Sequence, residues 1–274
     1  MEQKLIVVRG GGDLATGTIH RLWSAELPVL VLETEHPAAI RRQVSVSEAV
    51  YDGQAVVEDM TAVCISNCEK VWDVLAKRKV PVLVDPEGMS IQKLCPVVVV
   101  DAILAKKNLG THRAMAPLTV ALGPGFEAGR DVDVVIETKR GHNLGRVIRS
   151  GSAAANTGIP GRIDGYAKER VMHSTEQGVF HNIRKIGDIV EKGEPIGWIE
   201  KRDGGSVPVT ATIPGLLRGL LREGCEIPVG FKIADIDPRK EEFKNCFTIS
   251  DKARCIGGSV LEVIVPCFLH KYVQ

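Results

Sequence analysis

A glycine-rich segment occurs twice between residues 178 and 237, and this repeat sets the strongest constraint on the fold. The segments GVFHNIRKIGDIVEKGEPIGWIE and GLLRGLLREGCEIPVGFKIADID align at one constant offset without a gap, which places Gly187 opposite Gly224 and Gly193 opposite Gly230. Such register indicates two copies of one structural unit. Because a unit this short cannot bury its own apolar face, we expect the copies to close on each other as a small β sandwich.

The repeat resembles the barrel-sandwich hybrid of biotinyl and lipoyl domains, in which a lysine on the hairpin between the two halves carries the cofactor. Here the connecting stretch is IEKRDGGSVPVTATIPG, and Lys201 lies near the strand end instead of at the GG tip. We therefore expect no biotin or lipoate on this chain. The expectation for residues 166–240 is an unmodified, all-β tandem-repeat module of the barrel-sandwich-hybrid type.

The first part of the chain alternates apolar runs with helical patterns. The runs LIVV, PVLVLE, VPVLVD and PVVVVD are rich in valine and largely uninterrupted by polar residues, as is typical of parallel strands buried on both faces. Strand, crossover helix and strand in series predict an α/β Rossmann-like domain with a doubly wound parallel sheet over residues 1–113. A Gly-rich β connecting segment is expected at 114–165, and a C-terminal helical segment that packs on the first domain at 241–274.

The stretch LIVVRGGGDLATG joins the first predicted strand to the first predicted helix. Gly10, Gly12 and Ala15 fill the small-residue positions of a dinucleotide-binding turn, and Glu33 ends the second strand, where a carboxylate can bind a ribose. Asp13 is expected to cap the helix and would repel a phosphate. Two interpretations therefore stay open, a nucleotide or dinucleotide site and a tight turn without a ligand.

Acidic residues follow several of the predicted strands, at the edge where open α/β sheets bind ligands. The candidate cofactor-binding residues are Gly10, Gly11, Gly12, Asp13, Glu33, Asp85 and Asp101. Each of the acids can equally cap the helix that follows its strand.

The segment KRGHNLGR brings basic residues close to Glu137. Arg140 and His142 are the candidates for a catalytic role, since such a cluster can bind an anion or relay a proton. A histidine beside a turn is more often a plain surface residue.

The charge balance excludes some classes of partner. With 35 basic and 34 acidic residues the net charge is +1, so we expect no nucleic acid partner. We also expect no signal peptide and no membrane segment, and thus a soluble, cytoplasmic protein. Seven cysteines without a CxxC pair favour reduced thiols over disulfides or a metal site, and the closest pair is Cys64 and Cys68.

Several motifs together resemble the selenium-dependent molybdenum hydroxylase system proteins, the YqeB family. They are RGGGDLATG, ETEHPAAIRRQVSVSEAVYDG, GPGFEAGRDVDVVIETKRGHNLGRVI, NTGIPG and the paired repeats ending IADIDPR. The resemblance implies an accessory or maturation role for a selenium-dependent molybdenum hydroxylase. It also implies a similarity to xanthine dehydrogenase accessory proteins, which handle molybdenum cofactor and carry a Rossmann-like domain.

Three functions follow as hypotheses. In the first, the α/β crevice binds a nucleotide or a nucleotide-bearing cofactor, with a dinucleotide and molybdenum cofactor as candidates. The partners are then a molybdenum hydroxylase client or its maturation proteins, and a homo-oligomer stays open. The alternatives are an NAD(P)-dependent oxidoreductase, with Glu33 on the ribose and His142 as proton donor, and a non-catalytic scaffold with a vestigial crevice.

Overall fold

The described residues of this computed structural model are 4–156, 158 and 161–269. They group in space into two units. Unit 1 contains residues 4–37, 45–156 and 249–269, and unit 2 contains residues 38–44, 158 and 161–248. Both chain ends and part of the NTGIPG motif, at residues 157, 159 and 160, lie outside the described residues. The four-part division expected from the sequence stays a prediction.

A mixed β-sheet of nine strands forms the centre of the described part of unit 1. The strands of this unit are β1 (Ile6–Arg9), β2 (Val29–Glu33), β3 (Gln54–Val57), β4 (Met60–Ile65), β5 (Val80–Val84), β6 (Val98–Asp101), β7 (Leu118–Leu122), β8 (Glu127–Ala128), β9 (Val134–Ile136), β10 (Val147–Ile148) and β11 (Gly151–Ser152). The sheet order is β10-β9-β7-β6-β1-β2-β5-β4-β3, and β8 and β11 form a separate two-stranded sheet.

The four valine-rich runs form β1, β2, β5 and β6, which pair in parallel. Every residue of β1, β2 and β6 is buried, which explains why these runs lack polar alternation. Register places Arg9 beside Asp101 and Glu33 beside Val84. The carboxyl ends of the parallel strands therefore meet at one edge of the sheet, which we call the carboxyl edge.

Two helices of unit 1 pack unusually closely. The helices are α1 (Asp13–Ser24), α2 (Ala49–Asp52), α3 (Val71–Leu75), α4 (Met89–Leu94) and α5 (Asp251–Leu269). A Cβ at Gly17 of α1 would lie 2.5 Å from the Cβ of Ala253, and a Cβ at Gly257 of α5 would lie 2.6 Å from the carbonyl oxygen of Gly17. Small residues at these positions let α5 lie directly against α1. Among the described helices, none has the length and apolar character that crossing a membrane requires.

The predicted doubly wound parallel sheet is wrong. At the two edges of the sheet, β3 runs antiparallel to β4 and β10 runs antiparallel to β9. The connections from β6 to β7 and from β7 to β9 hold no α-helix, although a doubly wound fold places a helix in each crossover. Valine-rich runs predict burial on both faces, but they do not specify the direction of the edge strands or the content of the crossovers.

Unit 2 contains two four-stranded antiparallel sheets. Its strands are β12 (Val171–His173), β13 (Gly178–Asn182), β14 (Ile189–Val190), β15 (Pro195–Glu200), β16 (Ser206–Thr210), β17 (Gly215–Leu220), β18 (Cys225–Ile227) and β19 (Lys232–Asp237). The orders are β12-β19-β17-β14 and β16-β15-β13-β18. The two repeat copies are β13 to β15 and β17 to β19. Each copy contributes its middle strand to the sheet of the other, because β14 pairs with β17 and β18 pairs with β13.

Equivalent glycines of the two copies have equivalent surroundings. A Cβ at Gly178 would lie 2.0 Å from the carbonyl oxygen of Glu200, and a Cβ at Gly215 would lie 2.4 Å from that of Asp237. Both positions therefore exclude any side chain. The shared sequence pattern reflects the same close approach of two backbones in each copy.

The predicted barrel-sandwich-hybrid-like module is also wrong as a description of residues 166–240. Unit 2 takes in residues 38–44 from far earlier in the chain. The Leu220 N–H donates to the carbonyl oxygen of Ile40 over 2.8 Å, and Arg42 Nε donates to the carbonyl oxygen of Leu220 over 2.8 Å. Internal similarity identifies the repeated strands, but it carries no information about a distant segment that completes the unit.

Candidate ligand site at the carboxyl edge

Gly10 and Gly11 form the turn between β1 and α1 and are held by packing. Gly10 has a φ of +96°, and a Cβ there would lie 2.9 Å from the carbonyl oxygen of Ala102. The N–H of Gly11 donates to Glu33 Oε2 over 2.7 Å, and its carbonyl oxygen accepts the N–H of Ser47 over 3.0 Å. The backbone of these two glycines is therefore committed to neighbouring segments of unit 1.

Gly12 differs from its two neighbours. It is the N-cap residue of α1 with a φ of −67°, no side chain caps the helix, and a Cβ there would meet no atom within 4 Å. Asp13 is the first residue of the helix, so the expectation that its side chain occupies the cap position is wrong. The open space lies where the first N–H groups of a helix present partial positive charge.

Glu33 is buried and binds backbone within unit 1. Its carboxylate accepts the N–H of Gly11 over 2.7 Å and the N–H of Thr34 over 2.8 Å. Burial raises the pKa of Glu33, and the two N–H donors partly oppose that shift. This carboxylate fastens the glycine turn to the end of β2, and its predicted contact with a ribose stays a prediction.

Asp85 accepts hydrogen bonds from the first residues of α4. Its oxygens accept the N–H of Met89 over 2.9 Å, and the N–H and hydroxyl of Ser90 over 2.7 and 2.6 Å. Partial burial would raise the pKa of Asp85, but the hydrogen bonds from Ser90 outweigh it, and the pKa lies below its ordinary value. Asp85 therefore acts as a helix cap in this structure.

Asp101 belongs to a buried network with Arg9. Arg9 Nη1 donates to Thr111 Oγ1 over 2.6 Å, and the Thr111 hydroxyl donates to Asp101 Oδ2 over 2.6 Å. Arg9 Nη2 also donates to the carbonyl oxygen of Pro86 over 2.8 Å. Burial raises the pKa of Asp101, and the bond from Thr111 opposes the shift. The network ties loops together at the carboxyl edge.

Arg140 and His142 have different surroundings in this structure. Arg140 forms a bidentate ion pair with Asp251 at 2.8 and 2.7 Å. His142 is exposed and makes no side-chain hydrogen bond to a described residue. Glu137, which follows β9, instead accepts the N–H groups of Lys139 and Ala154, each over 2.7 Å.

Lys252 is a candidate residue that the sequence did not indicate. It is half-buried on the first turn of α5 and forms no hydrogen bond or ion pair with a described residue. Burial lowers the pKa of Lys252 and the charge of Arg140 lowers it further, while Asp13 and Glu137 act in the opposite direction. Lys252 lies between Ala253, which packs against Gly17 of α1, and Asp251, which pairs with Arg140. Nothing in the surrounding sequence SDKARC distinguishes Lys252 from an ordinary surface lysine.

The sequence of the chain is similar to that of a curated protein over almost its whole length. The chain is 46% identical over 271 residues to the protein named "Uncharacterized protein YqeB" of Escherichia coli (strain K12). The chain belongs to the YqeB family. The alignment covers 99% of the chain and 49% of the relative, so the chain spans about half the length of this curated relative. No family model matches the chain. The predicted family is confirmed, and the link to a selenium-dependent molybdenum hydroxylase stays a prediction.

Solved structures that align with most of this YqeB-family chain at low TM-scores are described as proteins of other families. They include the apo form of the ectoine utilization protein EutE (DoeB) from Ruegeria pomeroyi, 14% identical with a TM-score of 0.28, over 85% of this chain and 86% of that one. A succinylglutamate desuccinylase/aspartoacylase from Rhodobacter sphaeroides is 14% identical with a TM-score of 0.29, over 85% of each chain. An aspartoacylase family protein from Mesorhizobium loti is 11% identical with a TM-score of 0.28, over 87% of this chain and 86% of that one. At these TM-scores neither a fold class nor an activity is carried over to this chain.

Proposed function

We propose that the carboxyl edge of unit 1 binds a phosphate-bearing ligand, namely a nucleotide or a nucleotide-bearing cofactor such as molybdenum cofactor. Through that ligand the protein serves as an accessory or maturation factor for a selenium-dependent molybdenum hydroxylase. The observation that carries the proposal is the open space over Gly12 at the uncapped start of α1. A helix N-terminus offers free N–H groups and a favourable dipole to an anion.

Lys252 supports the same proposal through charge. A half-buried ammonium group without a partner in the described residues is costly in free energy, and a bound anion removes that cost. Asp13 opposes a phosphate at the start of α1, and Lys252 offsets its charge. Arg140, which is paired with Asp251, is a second positive charge that acts on Lys252.

The maturation role rests on the family membership and on the motifs that resemble the selenium-dependent molybdenum hydroxylase system. The chain spans about half of its curated relative. A hydroxylase client as partner is therefore part of what we propose. Unit 2 is the candidate docking module for such a client.

A ligand panel tests the proposal. Thermal unfolding of the full chain is measured with NAD, FAD, cytidine and guanosine nucleotides, and molybdenum cofactor, and a ligand at 100 times its Kd should stabilise the fold by about 2.7 kcal/mol. Stabilisation by a nucleotide or by molybdenum cofactor supports the proposal. Stabilisation by NAD with turnover of a hydroxylated substrate favours the oxidoreductase, and no stabilisation by any member of the panel favours the scaffold.

Gly12→Ala locates the ligand. Because a Cβ at position 12 meets no protein atom and φ is negative, this variant should fold normally and lose at least tenfold in affinity for the stabilising ligand by calorimetric titration. Gly258→Ala is the matched control, because Gly258 on α5 also has no atom within 4 Å of its Cβ position. Equal affinity in the two variants places the ligand elsewhere.

A further inference from the structure

We propose that His20, Glu58 and Asp59 form a binding site for a divalent transition-metal ion, with Zn²⁺ as the probe because it accepts both imidazole and carboxylate ligands. His20 lies on α1, and Glu58 and Asp59 form the two-residue turn between β3 and β4. This proposal stands apart from the phosphate site, since it rests on other side chains.

The donor atoms are close enough to share one ion. His20 Nε2 lies 2.8 Å from Asp59 Oδ1 and 3.8 Å from Glu58 Oε2, and the ligand atoms of the three residues all lie within 4.8 Å of one another. In a tetrahedral zinc site with bonds of about 2.0–2.2 Å, neighbouring donor atoms are about 3.3 Å apart. Small side-chain rotations are therefore sufficient to bring the three atoms onto one ion.

Glu58 and His20 also have the outer partners that metal ligands usually have. Arg254 Nη2 contacts both oxygens of Glu58 at 2.7 Å, and the N–H of Ile249 donates to Glu58 Oε1 over 2.9 Å. On the other side of the imidazole, Nδ1 of His20 lies 3.5 Å from the Ser24 hydroxyl. These contacts hold Glu58 Oε2 3.8 Å from His20 Nε2, with Arg254 on the same carboxylate.

Local charge and exposure fit a cation. Glu58 is paired with Arg254, so Asp59 is left as the carboxylate of the group without an arginine in an ion pair among the described residues. The charge of Arg78 contributes to lowering the pKa of Asp59, after the larger effect of the hydrogen bond with His20. Arg78 is exposed and forms an ion pair with Glu26. The side chains of His20 and Glu58 are 13% and 19% exposed, whereas that of Asp59 is 73% exposed. An ion would therefore be reached from the Asp59 side, where water or a ligand atom completes its coordination.

The competing interpretation is a histidine–aspartate hydrogen bond that only holds the turn on α1. In that case His20 and Asp59 bind each other and no metal ion enters. The two interpretations differ in whether the native chain takes up a metal through nitrogen and oxygen donors.

Metal titration of the full, EDTA-stripped chain decides between them. Zn²⁺ binding is measured by calorimetry and Co²⁺ binding by visible absorption for the parent, His20→Gln, Asp59→Asn and the control His142→Gln, which alters an exposed histidine elsewhere in unit 1. We expect one site, a Co²⁺ spectrum without thiolate charge-transfer bands, at least tenfold weaker binding in His20→Gln and Asp59→Asn, and parental affinity in the control.

Parental affinity in both site variants overturns the proposal, as does absence of Zn²⁺ uptake at micromolar concentrations. A thiolate charge-transfer band in the parent also overturns it, because the ion then binds cysteines. If His20→Gln fails to fold by circular dichroism, Asp59→Asn decides alone, since its side chain is largely exposed and its loss should leave the fold intact.

Discussion

Two parts of the carboxyl edge differ in how their polar groups are used. At the ends of β2, β5 and β6, the side chains of Glu33, Asp85 and Asp101 bind backbone or neighbouring side chains. At the start of α1, a Cβ at Gly12 would meet no atom within 4 Å. Lys252 on α5 forms no hydrogen bond or ion pair with a described residue. The first part holds the edge together, and the second is where we propose that a ligand binds. The acidic residues that follow these strands thus have partners within unit 1, and their contact with a ligand stays a prediction.

The largest expected effect concerns the structural part. Arg9→Ala leaves Thr111 and the buried Asp101 without their cation, which should lower the free energy of unfolding by about 3 kcal/mol. Chemical denaturation measures this change. The control is Arg78→Ala, which removes an ion pair with Glu26 whose two side chains are both exposed and should cost less than about 1 kcal/mol. Equal losses in the two variants would remove the distinction between the two parts of the edge.

Neighbouring glycines provide a sharper test. Gly10→Ala combines a φ of +96° with a Cβ 2.9 Å from the carbonyl oxygen of Ala102, and we expect a loss of about 2 kcal/mol in unfolding free energy. Gly12→Ala, at a negative φ in open space, should change it by about 1 kcal/mol or less. A similar loss at both positions in denaturant melts contradicts the open-space assignment.

Lys252→Met tests the ligand-binding part. Removal of the ammonium group should weaken binding of the stabilising ligand about tenfold, which corresponds to about 1.4 kcal/mol. Folding stability should stay the same or rise, because a half-buried charge is lost. Calorimetric titration beside Lys77→Met, which alters an exposed lysine of unit 1, separates this effect from a general change in charge. Unchanged affinity in Lys252→Met excludes this lysine from the site.

The smallest expected effect is at Asp85. Asp85→Ala should lower the unfolding free energy by about 1 kcal/mol, because the N–H groups at the start of α4 lose their acceptor. Since the folded-state pKa of Asp85 is below its unfolded value, this contribution is present above about pH 4 and disappears as the pH falls through the folded pKa. Unfolding curves of parent and variant should therefore converge at low pH. A difference that persists in acid contradicts a role for the ionised carboxylate.

The sequence pattern predicts some strands of the sheet in unit 1 and not others. The runs that became β1, β2, β5 and β6 are recognisable because strands buried on both faces need apolar residues at every position. The antiparallel edges at β3 and β10 were missed, because strand direction depends on which partner is adjacent in space. Lys252 was missed for a similar reason: its surroundings come from α1, β9 and α5, which are distant along the chain.

The sequence by itself determined the family, the repeated unit and the glycine turn, since these depend on local order and on spacing along the chain. Only the tertiary structure decided which of the candidate groups are used internally. The sequence positions of Glu33 and Asp101 suggest ligand residues. In the structure, Glu33 accepts a hydrogen bond from Gly11 and Asp101 accepts one from Thr111. Hydrogen-bond partners are set by distances of about 3 Å in space, and such distances between remote segments exist only after the chain has folded.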